Sequence, residues 1–310
     1  MKDGRIFKNL FGVSLLFLGL IVGGLSPAAE GLSVVTIEKI GGRWTLLRNE
    51  QPCFIRGAGG TAYLDALVEA GGNSIRTWSS SREALDKAGE RGLTVCVGLR
   101  MAKPRHGADY TDEAMLRKQR ERIVEQVVAL QDHPALLLWA IGNEVEHEIG
   151  PDGRVLVWKE IEKIARRIKQ IDPNHPVITV IAGAGEKVRE VKEYCPSLDA
   201  LGINSYGTLP RVPARLERYG WEKPYLITEF GPRGWWEAEK TEWGLPIEDT
   251  STEKSRFYHD VYKAGIDGKP NCLGSYVFLW GNKQEKTHTW FCLFLPDGTP
   301  TEMIDTMTFL

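Results

Sequence analysis

Two glutamates stand where apolar runs end: Glu144, closing LLLWAIGNE, and Glu229, inside PYLITEFG. A carboxylate driven to the edge of a core is costly unless it is paired or its pKa shifts to neutralise it. Such a group is an ion-pair partner, a cap or a working residue. Two carboxylates flanking one bond are the equipment of glycoside hydrolysis. One, protonated, gives its proton to the leaving oxygen; the other, ionised, attacks or stabilises the sugar cation. For either glutamate alone, pairing with an arginine at the rim of the fold is the alternative.

That chemistry needs both groups at one mouth, and the rest of the chain predicts a frame that supplies it. Eight apolar runs, CFIRGAG, NSIRTW, TVCVGLRM, ALLLWAIGNE, PVITVIAG, ALGINSY, PYLITEFG and LGSYVFLW, alternate with helical patterns. Val157, Ile161, Ile164, Ala165, Ile168 and Ile171 recur at three- and four-residue steps up to Asp172-Pro173, and Leu116, Ile123, Val124, Val127 and Val128 form a second stripe. Shorter helical patterns cover 63–70, 82–91, 187–194 and 253–264. Strands alternating with helices over some 250 residues predict an α/β fold, a (β/α)8 TIM barrel spanning residues 53–310. Glu144 then ends the fourth strand and Glu229 the seventh, at the carboxyl ends where such barrels do chemistry. An open doubly wound sheet is the alternative, but Gly57-Ala58-Gly59-Gly60 lacks the dinucleotide-binding fingerprint. Little chain follows the eighth strand, so the closing helix is expected to be short or absent. Residues 30–52, alternating around Gly41-Gly42, predict a β-hairpin ahead of the barrel.

The chain has 310 residues, 42% of them hydrophobic, and a formal charge of −2, which places it in the globular class. That balance leaves no basic footprint for nucleic acid. Lys2, Arg5 and Lys8 precede an apolar run from Leu10 to Leu25 and then SPAAE. The succession predicts a signal peptide over residues 1–29 and an exported protein, periplasmic or extracellular. Membrane contact is expected only if that segment stays uncleaved, because the run is short of the roughly 20 residues of a spanning helix. Five cysteines cannot all pair within the chain, and whether Cys272 and Cys292 form a disulfide stays open. His147 between Glu146 and Glu148 lacks the spacing of a helical metal site and reads as a solvated loop. Trp235, Trp236, Trp243 and Trp290 follow the last two strands, either as stacking platforms for sugar rings or as loop packing.

With IGNE, ITEFG and NSIRTW in view, the chain from about Phe54 to Trp280 resembles the glycoside hydrolase clan A barrels. It is closest to the catalytic barrel of family 2, with similarity to families 5 and 72. The resemblance implies a retaining glycoside hydrolase or transglycosylase acting on a β-linked oligo- or polysaccharide, of β-glucan or β-glucoside type. It implies Glu144 as acid/base and Glu229 as nucleophile. It further implies Asn143 on the sugar 2-hydroxyl, Arg76 holding the nucleophile ionised, Tyr206 hydrogen-bonding it, and Trp280 as the floor under the sugar. His106 and Trp236 are further substrate-binding candidates, and Trp139 is expected to help shield Glu144. The family's β-sandwich domains have no counterpart in this sequence. No cofactor or metal is implied, since two carboxylates and water or an acceptor sugar suffice. No lysine falls at a strand end, which speaks against Schiff-base chemistry. A non-catalytic glycan-binding barrel is the alternative that the two glutamates argue against.

Overall fold

The computed structural model describes Met1, residues 32–308 and Leu310. Apart from Met1, the predicted signal segment at 1–29 lies outside the described residues. Strands β1 (Val35–Ile40) and β2 (Arg43–Arg48) pair antiparallel, and the two-residue β3 (Gln51–Pro52) adds to β2. Gly41 and Gly42, at φ 56° and 83°, make the two-residue turn between them, a connection that needs left-handed backbone at both positions.

Eight parallel strands then close a barrel in chain order: β4 (Ile55–Gly59), β5 (Ser74–Arg76), β6 (Thr94–Leu99), β7 (Leu136–Ile141), β8 (Val177–Ala182), β9 (Ala200–Asn204), β10 (Tyr225–Phe230) and β11 (Cys272–Val277). The connecting helices are α1 (Leu64–Glu69), α2 (Arg82–Gly89), α3 (Glu113–Leu130), α4 (Pro151–Ile171), α5 (Lys187–Tyr194), α6 (Val212–Arg218), α7 (Ser251–Gly265) and α8 (Glu302–Thr308). This is the predicted TIM barrel, with a closing helix α8 of only seven residues. Helix α6 was not foreseen; VPARLER buries only Val212 and Leu216, too little for a periodic stripe.

Barrel strands bury both faces, which is why they read as unbroken apolar runs. In β7, Trp139 and Ile141 join the layer beneath the helices, while Leu138 and Ala140 pack inward with Ile55, Cys96, Val180, Leu226 and Tyr276. Gly57 is required inside: any side chain there would overlap the Tyr276 ring. Val35 and Leu46 of the small sheet belong to the same inner cluster. The Val35 amide donates to Asn174 O and the Trp44 amide to Pro270 O, each at 2.8 Å. Both acceptors lie just before barrel strands, so the hairpin plugs the amino end of the barrel and leaves the carboxyl end as the mouth. Cys272 and Cys292 are both free thiols, the first donating to Gly274 O (3.5 Å) and the second to Lys283 O (3.1 Å). Among the described residues no helix is long and apolar enough to cross a membrane.

Candidate active site

Glu229 is the penultimate residue of β10 and only 7% exposed. A buried carboxylate needs donors, and three converge on it. Arg76 at the end of β5 gives Nη1 to Oε1 (2.8 Å), and Trp78, two residues on, gives its indole Nε1 to the same oxygen (2.9 Å). Tyr206, past the end of β9, donates its hydroxyl to Oε2 at 3.0 Å. Burial and the Glu229 charge push the Tyr206 phenol far above its ordinary pKa, so it remains a donor. Arg76 is itself fixed, with Nη1 also on Thr228 O (2.9 Å) and Nη2 on Asn143 Oδ1 (2.6 Å).

Glu144 has a different setting. It lies three residues beyond β7, in a turn where Gly142 has φ 69° and Glu144 itself φ 50°. Left-handed backbone at a non-glycine residue is strained and persists only where the surroundings impose it. Here the Glu144 amide donates to Val180 O (2.9 Å), and a side chain at Gly142 would strike Val145. Its Oε1 accepts from Asn204 Nδ2 (2.9 Å), which also reaches Asn143 Oδ1 (3.1 Å). Thr228 Oγ1 donates to Asn204 Oδ1 (2.8 Å) and so orients that amide. Burial pushes the Glu144 carboxyl above the usual carboxylate range, the negative charge of Glu229 adds to this, and the Asn204 hydrogen bond opposes it. No cation pairs with Glu144 among the described residues. One hydrogen-bonded chain thus runs from Glu229 through Arg76, Asn143 and Asn204 to Glu144.

Five of the expected site residues come together here: Arg76, Asn143, Glu144 and Glu229 in that chain, and Tyr206 on Glu229. Trp280 does not. It is 2% exposed, donates its Nε1 to Tyr63 O (3.1 Å) and packs edge-on against Phe294. The aromatic beside the carboxylates is Phe278, edge-on to both Trp78 (5.7 Å) and Tyr206 (6.3 Å). Phe278 and Trp280 both follow β11, which ends at Val277, and Trp280 turns away toward Tyr63 and Phe294. His106 is exposed in the short 3-10 turn Pro104–His106 and makes no hydrogen bond to either glutamate. Trp236 is half exposed and stands edge-on to Tyr206 at 5.4 Å, a position at the rim. Trp290 is 3% exposed with its Nε1 on Arg233 O (2.9 Å), which is loop packing rather than a platform. Trp139 does not shield Glu144; its indole turns outward and donates to Asp172 Oδ2 (2.7 Å). Glu146 is not solvated either, being buried with Oε1 on Lys187 Nζ (2.7 Å) and the Ala182 amide (2.9 Å).

Besides Phe278, two residues near the carboxylates escaped the sequence reading. Trp78 ends NSIRTW, yet nothing in its type distinguishes a hydrogen-bonding indole from a packed one. Lys103 lies four residues past β6, so the strand ends are not devoid of lysine. Burial and the neighbouring Arg105 hold its amine below the usual range, while Glu144 and Glu229 pull the other way. The signal for Lys103 is its place in a loop at the mouth, which the length of a lysine makes ambiguous in sequence.

Residues 84–234, just under half of the chain, match the family model for the TIM barrel domain of glycosyl hydrolases family 2. A β-mannosidase A of Emericella nidulans is 28% identical over 175 residues, covering 53% of this chain and 17% of that protein. A β-mannosidase A of Aspergillus aculeatus is 33% identical over 90 residues, covering 28% of this chain and 9% of that protein. The chain therefore spans less than a fifth of the length of these curated relatives. Among solved structures, a β-D-glucuronidase of Dictyoglomus thermophilum superposes with a TM-score of 0.66 at 17% identity, over 89% of this chain and 53% of that one. A family 2 β-galacturonidase of Eisenbergiella tayi, bound to galacturonate, gives 0.67 at 16% over the same shares. At such identities the structures share the fold, and the family match covers both glutamates.

Proposed function

We propose that this chain is a retaining β-glycosidase of the family 2 kind, with Glu229 as nucleophile and Glu144 as acid/base. The observation that carries the reading is the opposed setting of the two carboxylates. Glu229 receives three donors, one of them the Arg76 guanidinium, which hold its carboxylate in place for attack. Among the described residues Glu144 pairs with no cation, and its burial favours the proton it must give to the leaving oxygen. In the first step Glu229 attacks the anomeric carbon while Glu144 protonates the departing oxygen. In the second, Glu144 takes a proton from water, which displaces Glu229 and restores the original anomeric configuration. Asn143, with Oδ1 occupied by Arg76 and Asn204, offers its amide N–H group to the sugar 2-hydroxyl. Phe278 takes the place expected of Trp280 beside the sugar, and Trp236 stands where a further ring would stack.

The relatives are named for β-mannosides, β-glucuronides and β-galacturonides, so the substrate panel is set by those sugars together with β-glucosides. The test is the stereochemistry of the first product from whichever aryl glycoside is turned over, read by proton NMR before mutarotation. A β-anomer, together with mass-spectrometric labelling of Glu229 by a 2-fluoro sugar, supports the mechanism. An α-anomer as first product contradicts it, and binding without turnover on every substrate would favour the glycan-binding alternative. The enzyme is also proposed to act outside the cytoplasmic membrane, on the strength of the Met1 to Ala29 pattern. Amino-terminal sequencing from the native host should find a chain beginning near Glu30; an intact Met1 on a cytoplasmic product would rule export out.

A further inference from the structure

The two oxygens of Glu229 are not equivalent. Among the described residues Oε1 takes two N–H donors, Arg76 Nη1 and Trp78 Nε1, whereas Oε2 takes only the Tyr206 hydroxyl. The less occupied Oε2 keeps a lone pair for the anomeric carbon. We infer that Trp78 is a positioning residue that holds Oε1 as the spectator oxygen and chiefly accelerates breakdown of the glycosyl-enzyme, the second half of the proposed glycosidase reaction. The inference rests on that reading.

The direction follows from where the charge goes. On attack, an electron pair of Oε2 forms the bond to the anomeric carbon, and the leaving oxygen departs with the proton of Glu144. Oε1 becomes an ester carbonyl, a poorer acceptor than a carboxylate oxygen. When water attacks in the second step, the bond between the anomeric carbon and Oε2 breaks, its electron pair returns to the carboxylate, and the water proton passes to Glu144. Oε1 regains charge in that transition state, so a donor aimed at it binds the transition state better than the covalent intermediate. Only such a differential interaction speeds a step. The same donor stabilises the resting anion and therefore gives the first step no advantage.

Trp78 is the separable donor of the two. Arg76 also holds Thr228 O and Asn143, and its removal would disturb the whole chain. Trp78 makes this one side-chain hydrogen bond, its ring near Arg76 (5.1 Å from Cζ to the centroid) and edge-on to Phe278. Gly59 leaves the space, since a Cβ there would come 3.0 Å from Trp78 Cη2.

The experiment uses the full chain and the 2,4-dinitrophenyl β-glycoside of the sugar it turns over, for which the first step is fast and kcat reports the second. Trp78→Phe should lower kcat about tenfold or more, the effect of losing a hydrogen bond to a charged group. KM should fall with it, leaving kcat/KM within about threefold, and the burst of dinitrophenolate should persist. Replacing Trp78 with β-(3-benzothienyl)alanine, which keeps the shape and lacks the N–H, should give the same split. If kcat/KM falls as far as kcat without a burst, or the isostere behaves as wild type, the inference is overturned. A second readout needs no turnover: the indole 1H–15N resonance that disappears in Trp78→Phe should move in Glu229→Gln. An unmoved resonance overturns the inference, whereas a moved one in a protein inert to every β-glycoside would sink the glycosidase reading instead.

Discussion

A buried carboxylate sits near each end of this barrel, held by three donors in both cases, yet the two are built differently. At the plugged end, Asp172 takes the Trp139 indole, the Asn174 amide (3.0 Å) and the His175 ring nitrogen Nδ1, which reaches both oxygens at 3.0 and 2.8 Å. Two of those donors lie within three residues of it, and the group is closed in at 2% exposure. At the open end, Glu229 draws its donors from β5, the segment after it, and the loop after β9, and among the described residues Oε2 accepts a single hydrogen bond. Local saturation ties a loop down. Donors gathered from separate strands hold a carboxylate in place while leaving an oxygen to react.

Breaking each carboxylate should separate the two roles. Glu229→Gln should lower kcat/KM by on the order of 10⁴-fold or more, as loss of a nucleophile does. Its melting temperature should stay within a few degrees, because the amide oxygen can still accept from Arg76 and Trp78. Asp172→Ala should do the reverse. It strands the Trp139 N–H and the buried His175, at a cost of roughly 2–4 kcal/mol in urea unfolding, while kcat/KM of the folded protein changes less than about threefold. Equal catalytic losses in the two folded variants would erase the distinction. A smaller effect sharpens the picture of the rim: Trp236→Ala should weaken binding of long oligosaccharides by about 1 kcal/mol, the scale of one aromatic contact. Short aryl glycosides should be nearly indifferent to it, and equal losses on both would make Trp236 a structural residue.

The smallest effect concerns stability and pH. Glu144 has its folded pKa raised by burial and by Glu229. Between the ordinary carboxylate pKa and that raised value, the folded state binds more protons than the unfolded one. Stability therefore falls as pH rises through this window. Glu144→Gln removes the ionisation, so its melting temperature should exceed that of wild type by a few degrees at neutral pH and converge with it below about pH 4. A constant difference across that range would show that burial of Glu144 carries no titration penalty.

Much of this was legible in the chain. Strands buried on both faces must be apolar throughout, so the eight runs announced the barrel, and the position of NE after one run and of TE within another announced the mouth. Arg76 and Tyr206 lie in NSIRTW and GINSY, whose strand ends fix where they point. The failures have a common origin in direction. Trp280 and Trp139 are large side chains whose identities say that they will be buried, but not toward which neighbour, and for the same reason Trp290 stayed open between stacking and loop packing. A step of two residues past the end of β11, Phe278 against Trp280, decides whether an aromatic packs beside Trp78 and Tyr206 or against Phe294. Trp78 and Lys103 were missed because the loops that follow strands carry no periodicity from which to read orientation.

The central claim is that the two glutamates divide the work, and one measurement tests it most directly: steady-state and burst release of dinitrophenolate from a 2,4-dinitrophenyl β-glycoside by Glu144→Ala and by Glu229→Ala, with and without sodium azide. A good leaving group needs no proton, so Glu144→Ala should release it in a burst, stall, and restart with azide to give a β-glycosyl azide. Glu229→Ala should release nothing in a burst and form no β-glycosyl azide. If the two variants behave alike, or azide restores Glu229→Ala through the β-product, the roles assigned to Glu144 and Glu229 are wrong.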